Sequence, residues 1–225
     1  MPRPTARRAA LPPSAATSQP PRIIKDELKV IRQALEGQHA ASVKIIAVRA
    51  DSPSIFLLDE VHNLTELIDD NIRIAKTLVQ IGKVSLLGVE GCAGDKISIQ
   101  DLMHLSSDGR CFAERPRMIS AMLNEKYVEI VGVDSRELCS EINKDCEQGI
   151  WTEATHPKQE IRSAYMARTF VQKIRARRNI QAALLNAGKR HNDDIEAIVR
   201  AEKPHDVGAN GMSFIRVRSR LFPQL

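Results

Sequence analysis

The chain has few aromatic residues, no long apolar run and no paired-cysteine motif, and each absence excludes a class of protein. Of its 225 residues, 43% are hydrophobic but only 4% are Phe, Trp or Tyr, which leaves few rings to stack on nucleic-acid bases. The longest apolar runs fall far short of the roughly 20 residues that a membrane-spanning helix needs. We therefore expect neither a nucleic-acid partner nor a membrane span.

The cysteines follow no metal-binding pattern. No two of them form a CxxC pair or a zinc-finger spacing; they are Cys92, Cys111, Cys139 and Cys146. This arrangement is typical of free thiols in a reducing compartment.

The net charge of +5 is carried by the first 22 residues. They contain four arginines and no acidic residue, so the remainder is nearly neutral, whereas a nucleic-acid-binding domain concentrates Lys and Arg on a folded surface. Residues 1–22 are also rich in Pro, Ala, Ser and Thr without apolar periodicity, which predicts a disordered tail. A plain flexible tail, an organelle transit peptide and the leader of a bacterial type III-secreted protein all fit this composition.

Residues 23–225 are long enough for one substantial core, and their apolar pattern predicts a single α/β domain. Helical spacing occurs at 23–37, 64–81, 135–146, 156–179 and 191–203. Buried strands are predicted at 83–90, 127–134, 180–188 and 212–219, and a hairpin from 42–50 and 54–58. This alternation indicates a central, mainly parallel sheet with helices on both faces, which the hairpin would make mixed.

The stretch IFLLDEVH, residues 55–62, resembles the acidic strand of a P-loop NTPase. Such a site also needs a GxxxxGK[ST] loop, whose backbone amides hold the phosphates. Before Asp59 the only glycine is Gly37, and the Gly-Lys pairs at 82 and 188 lack the following Ser or Thr. The sequence therefore excludes a P-loop NTPase.

Ionisable residues follow each of four predicted strands or lie just beyond them. They are Glu60 and His62, then Glu90, Asp134 and His191. The carboxyl ends of parallel strands lie along one edge of a sheet, so these side chains are expected to converge there. Imidazole and carboxylate groups together suit hydrolysis or metal binding.

The order of these residues resembles the Tiki/TraB superfamily, which includes erythromycin esterases and ChaN-like haem-binding proteins. The matching motifs are DEVH (59–62) for Gly-Glu-x-His, GVE (88–90), GVD (132–134), RSAYMA (162–167) and GKRH (188–191). Each motif is short, and the ordered set, which spans most of residues 54–200, is more specific. The resemblance implies a Tiki/erythromycin-esterase/ChaN-like fold for residues 23–225.

The resemblance also implies a catalytic centre, made of Glu60, His62, Glu90, Asp134, Arg162 and His191. Glu60, His62, Glu90 and His191 would also be the ligands of a divalent metal. Arg162 would reach in from the long helix to pair with carboxylates or with a substrate anion. The chain departs from the family pattern at Asp59, which replaces a glycine and leaves open an additional ligand, altered activity or lost activity.

Members of this superfamily differ in chemistry, so the fold does not decide the function. One expectation is a hydrolase of protease or esterase type, metal-assisted or not, with a small-molecule or peptide substrate. A second is a non-catalytic effector or binding protein recognised through its surface. A third is a haem-binding protein, in which only Tyr127 and Tyr165 could supply phenolate ligands.

The single domain behind a secretion-like tail is also similar to plant-pathogen type III effectors of this fold, which trigger host cell death. This resemblance implies a bacterial protein secreted into the host cell, with a host immune receptor as partner. A cytoplasmic protein is the alternative.

Overall fold

The computed structural model describes residues 25–39, 41–49, 52–61, 64–98, 100–101, 114–149, 151–152, 155–201 and 211–222. His62 and the predicted tail, residues 1–22, lie outside these ranges, as does Cys111.

Within the described residues, seven strands form one mixed sheet. They are β1 (Ala41–Ala47), β2 (Ser54–Glu60), β3 (Val84–Val89), β4 (Ala93–Gly94), β5 (Glu129–Val133), β6 (Ala182–Gly188) and β7 (Ser213–Ser219), in the order β1-β7-β2-β6-β3-β5-β4. The five inner strands are parallel, and β1 and β4 run antiparallel at the two edges. The predicted α/β class and mainly parallel sheet are confirmed.

The predicted hairpin between residues 42–50 and 54–58 is wrong. Strand β1 pairs with β7, with Val43 opposite Val217, and it does not pair with β2. Both edges of β2 are occupied by parallel partners, β6 and β7, so no edge is left for β1. Every residue of β2 is buried, as expected for a strand inside a sheet covered on both sides.

Helices cover both faces of the sheet. They are α1 (Lys25–Gln38), α2 (Thr65–Gln80), α3 (Glu114–Leu123), α4 (Arg136–Glu147), α5 (Gln159–Arg175) and α6 (Lys189–Arg200). Buried residues of α1, α2 and α3 form one core cluster with the sheet, and those of α5 and α6 form the other. We call these sides the α2 face and the α5 face. No helix in the described part of the chain combines the length and apolar character needed to cross a membrane.

Strand alternation decides which face each side chain enters. In β2, Phe56 and Leu58 pack on the α2 face, and Ile55 and Leu57 pack on the α5 face. Carried two residues further, the alternation sends Asp59 towards the α5 face and Glu60 towards the α2 face. The sheet therefore separates two neighbouring acids.

Candidate functional site

Four of the six predicted site residues meet on the α5 face, at the carboxyl edge of the sheet. They are Glu90, Asp134, Arg162 and His191, and each is at most 4% exposed. Arg162 donates from Nη2 to Asp134 Oδ2 at 2.6 Å and from Nε to Asp134 Oδ1 at 3.1 Å. Its Nη2 also donates to Glu90 Oε1 at 3.2 Å. We call these four residues the buried cluster.

The backbone at the strand ends positions both carboxylates. Glu90 Oε2 accepts the Gly188 N–H at 2.7 Å, at the start of α6, where the helix dipole favours an anion. Asp134 accepts the N–H of Ser135 and that of Gly91, each at 2.9 Å. Gly91 has a φ of 73°, a conformation that glycine adopts readily, so the turn after β3 can present its N–H to Asp134.

The charges in the buried cluster do not cancel. Burial opposes the charge on Arg162, but the hydrogen bonds and charge of Asp134, with those of Glu90, outweigh it and raise the pKa of the guanidinium. One guanidinium between two carboxylates leaves an excess of negative charge beside His191, whose Nε2 lies 3.5 Å from Glu90 Oε1.

A hydrogen-bonded chain holds the other nitrogen of His191. Its Nδ1 lies 2.8 Å from Ser163 Oγ, and Ser163 Oγ lies 2.7 Å from Asp194 Oδ2. A hydroxyl has one hydrogen, and a carboxylate accepts it more strongly than a neutral nitrogen does. Its hydrogen is shared between Asp194 Oδ2 and the Gln159 carbonyl oxygen, which lies 2.9 Å from Ser163 Oγ and also only accepts. Ser163 Oγ therefore accepts the Nδ1–H of His191, which leaves the lone pair on Nε2.

Gln159 covers that lone pair. Its amide Nε2 lies 3.0 Å from His191 Nε2, and Gln159 is 3% exposed. Its Oε1 is buried and has no hydrogen-bond partner among the described residues. A buried acceptor without a partner beside a base is a suitable place for a bound water.

The thiol of Cys139 lies beside Asp134 and is held in its protonated form. Cys139 lies on α4, close to Asp134, and is partly buried. Burial, together with the negative charge of Asp134, raises the pKa of the Cys139 thiol to about 12. The reactive thiolate is therefore scarce at neutral pH.

Glu60 is separated from the buried cluster. It accepts a hydrogen bond from the side chain of Asn186 and lines a pocket on the α2 face with residues of α2 and α3. Its predicted partner His62 lies outside the described residues. The metal set of Glu60, His62, Glu90 and His191 is thus divided by the sheet, and no group of three His, Cys, Asp or Glu side chains in the described part of the chain is arranged to hold a metal ion.

The side chain of Asp59 links strand β2 to strand β7 and helix α6. It is fully buried and accepts hydrogen bonds from Arg216 Nε at 2.9 Å, Arg218 Nε at 2.6 Å and Asn192 Nδ2 at 2.9 Å. These partners lie on β7 and α6, and none of them belongs to the buried cluster. Where the resembled family has glycine, this chain therefore has an anchor between strands and helix.

Sequence reasoning missed Ser163, Asp194 and Gln159. Helical spacing could have indicated them, because Asp194 follows His191 by three residues and Ser163 follows Gln159 by four, so each pair shares a helix face. Tyr127 and Tyr165, the phenolate candidates for haem, are 90% and 38% exposed.

Comparison of the chain with protein-family models, with curated proteins and with solved structures gives no match.

Proposed function

We propose that the chain is a hydrolase of ester or amide bonds in which His191 is the base that activates water. One observation carries the proposal: the hydrogen-bonded chain from Asp194 through Ser163 to His191, which leaves a lone pair on Nε2 next to the carboxylate of Glu90. The resemblance to the Tiki/TraB superfamily and its erythromycin esterases supports the same reaction class.

His191 takes a proton from the water that attacks the substrate carbonyl. The water displaces the Gln159 amide from Nε2, and the unpartnered Oε1 of Gln159 accepts its second hydrogen. The imidazolium that forms is stabilised by Glu90 at 3.5 Å and by the chain to Asp194. The same imidazolium then returns the proton to the leaving group.

Arg162 and Asp134 are positioning residues in this scheme. Arg162 binds the carboxylates that follow β3 and β5, and so holds Glu90 in place beside His191. It is 4% exposed, and its Nε and Nη2 donate to these two acids.

The metal ligands that the resemblance implies do not fit one site among the described residues, so we derive no step through a metal. Glu60 and the pair Glu90 and His191 enter opposite faces of the sheet, and Glu90 is occupied by Arg162 and the Gly188 N–H. Elemental analysis of the purified protein beside a His62→Ala variant tests this choice. A stoichiometric metal that is lost in the variant would contradict it.

The activity test compares two histidine variants on p-nitrophenyl esters and on a fluorogenic casein. His191→Ala removes the base and is expected to lower kcat/KM by about 100-fold or more. His39→Ala is the control, because His39 bonds to Thr77 of α2, outside the buried cluster. Ser163→Ala is expected to lower kcat about tenfold with little change in KM. Full activity of His191→Ala would refute the proposal.

We also propose, from the resemblance and from the composition of residues 1–22, that the protein acts as a bacterial effector that triggers host cell death. The low exposure of the buried cluster favours a second route, in which the host recognises the surface of the protein and no substrate is hydrolysed. Its four members are at most 4% exposed. Expression of the full chain and of His191→Ala in leaf tissue separates the two routes. Cell death that requires His191 supports hydrolysis, and cell death that does not supports recognition.

A further inference from the structure

Two side chains lie next to Nε2 of His191, and they are held with different strength. Glu90 is fixed by Arg162 and by the Gly188 N–H. Gln159 is 3% exposed, and its side chain has only His191 as a hydrogen-bond partner among the described residues. Gln159 is therefore the side chain that can leave Nε2 at the lower cost.

Gln159 begins α5, and the later turns of this helix are fixed. Phe170 and Ile174 pack in the core of the α5 face, and Arg162 is bound by the two acids of the buried cluster. A movement that uncovers the base is therefore confined to the residues before Arg162. We call residues 156–161 the gate turn.

His156 holds the gate turn against α4. Its backbone oxygen accepts the N–H of Gln159 at 3.0 Å, and its Nδ1 accepts the N–H of Lys158 at 3.1 Å. Because Nδ1 accepts, the hydrogen of the neutral ring is on Nε2, which lies 3.0 Å from Asp145 Oδ2 and donates to it. The imidazole thus connects the start of α5 with an acid of α4.

Two contacts join the gate turn to α4, and one of them is exposed. Lys158 Nζ lies 2.7 Å from Glu141 Oε2, but these side chains are 42% and 53% exposed, and exposed pairs contribute little to stability. The side chain of His156 is 1% exposed, and the Trp151 ring lies edge-on to it, with the ring centroids 6.2 Å apart. The hydrogen bond from His156 to Asp145 is therefore the main contact that keeps the gate turn closed.

We propose that the gate turn controls access to His191, that the bond between His156 and Asp145 keeps it closed, and that substrate enters between α4 and α5 when this bond breaks. The proposal rests on the proposed hydrolase function, in which His191 is the base. In the open state Gln159 leaves Nε2. When the turn closes over the substrate and its water, Gln159 Oε1 accepts the second hydrogen of the water. His156 and Asp145 are positioning residues, because they act through Gln159.

Diethyl pyrocarbonate, which acylates an unprotonated imidazole nitrogen, measures the opening of the gate turn without a substrate. The tryptic peptide of residues 191–200 contains His191 and no other histidine, so mass spectrometry of this peptide follows His191 alone. In the full chain, Asp145→Ala removes the acceptor of the His156 bond and is expected to raise the rate of His191 modification by about fivefold or more.

Two variants serve as controls for Asp145→Ala. Asp145→Asn keeps an oxygen acceptor and is expected to stay within about twofold of the parent rate. Glu147→Ala replaces an exposed acid of the same helix and should leave the rate unchanged. An unchanged rate in Asp145→Ala, or an equal increase in Glu147→Ala, would overturn the proposal.

His156→Asn breaks the same bond from the other side, and it serves if Asp145→Ala does not fold. The shorter Asn side chain can still accept the N–H of Lys158, two residues later, but it does not reach Asp145. The rate of His191 modification is again expected to rise by about fivefold or more. The parent rate in this variant would overturn the proposal.

Kinetics with p-nitrophenyl esters separate a failure of the gate from a failure of the hydrolase. The closed form binds no substrate, so the apparent affinity scales with the open fraction of the protein. Asp145→Ala is therefore expected to lower KM by about threefold or more, with kcat within about twofold of the parent. A raised KM or a lowered kcat would indicate a merely structural role and overturn the gate. No hydrolysis by the parent would refute the proposed function, while the modification rates would still decide whether the turn opens.

Discussion

Asp59 and Glu60 are neighbours in the sequence but belong to different environments. The carboxylate of Asp59 is bound by Arg216 and Arg218, and that of Glu60 by the amide of Asn186. Asp59 stands where the resembled family has glycine. The negative charge at that position is therefore balanced by two arginines of β7.

Replacing Asp59 by glycine, which restores the residue of the resembled family, is expected to destabilise the protein. Arg216, whose side chain is 7% exposed, would lose its main buried partner, a loss worth about 3–5 kcal/mol of unfolding free energy. The control is Asp69→Gly, since Asp69 pairs with Arg117 at the surface of α2 and its replacement costs about 1 kcal/mol or less, from the exposed ion pair and a helix-propensity difference of a few tenths of a kcal/mol. Urea unfolding measures both. Equal losses would contradict the structural role of Asp59.

Cys139 is expected to resist alkylation in the folded protein. Its raised pKa, about 12, keeps the thiol protonated near pH 8, and the thiolate is the reactive form. Mass spectrometry after a short iodoacetamide pulse should show at least tenfold less modification of Cys139 in the native protein than in urea. Equal modification under both conditions would contradict the protected environment described here.

Two glycines differ in whether the structure leaves room for a Cβ atom. A Cβ on Gly132 of β5 would lie 2.5 Å from the carbonyl atoms of Cys92, which are backbone and cannot move aside, whereas a Cβ on Gly37 of α1 meets nothing within 4 Å. Gly132→Ala is expected to lower the melting temperature by several degrees or to prevent folding. Gly37→Ala should stabilise by about 0.4–1 kcal/mol. Thermal unfolding of both variants checks this, and a stable Gly132→Ala would contradict the close approach of β5 to residue 92.

Elements that local sequence patterns specify could be predicted, and pairings between distant strands could not. The apolar runs before Glu90, Asp134 and Gly188 predicted β3, β5 and β6. The Ser-Pro turn at residues 52–53 suggested a hairpin because it separates two β-rich runs. The partner of β1 is β7, more than 150 residues later, and no local signal reports a contact at that separation. Helix α3 was not predicted at all.

A network of charges on the α5 face connects β1, β7 and α6. Glu196 lies 2.6 Å from Lys44 Nζ and 3.0 Å from Arg216 Nη1. Burial raises the pKa of Glu196, but its hydrogen bonds to Lys44, Arg216 and Arg200 outweigh burial and lower the pKa from 4.5 to about 2. The edge strand is therefore tied to the sheet by an acid that stays ionised down to low pH.

The lowered pKa of Glu196 predicts an acid-sensitive contribution to stability. The ionised form is favoured in the folded state, so the contribution is fully present above pH 4.5 and is lost as pH falls through about 2. It is on the order of 1–2 kcal/mol, since solvent around Lys44 screens that pair. Glu196→Gln should be less stable than the parent protein near pH 6, and the difference should vanish near pH 2.

Chemical unfolding at both pH values checks this prediction, with Glu125→Gln as control. Glu125 pairs with Lys76 near the surface and should change stability by less than about 1 kcal/mol at either pH. A difference between Glu196→Gln and the parent that is the same at both pH values would contradict the assignment.

The edge of the sheet at which the site lies could be predicted from the sequence, but its division between two faces could not. The strand-end rule places Glu60, Glu90, Asp134 and His191 along one edge, and the structure brings the last three together with Arg162. Glu60 falls on the other side because strand β2 ends one residue out of phase with the turn that carries Glu90. That phase depends on where each strand stops, which a run of apolar residues does not specify.

The anchoring of Asp59 has a consequence for how strand β2 finds its alignment. Residues 55–58 are apolar on both faces, so a shift of β2 between β6 and β7 would still bury hydrocarbon on each side. A shift by one residue would put the Glu60 carboxylate on the α5 face and leave Asp59 among Leu67, Ile68 and Met118. Only one alignment gives both acids their partners, so the charges select a single register where hydrophobicity alone would accept several.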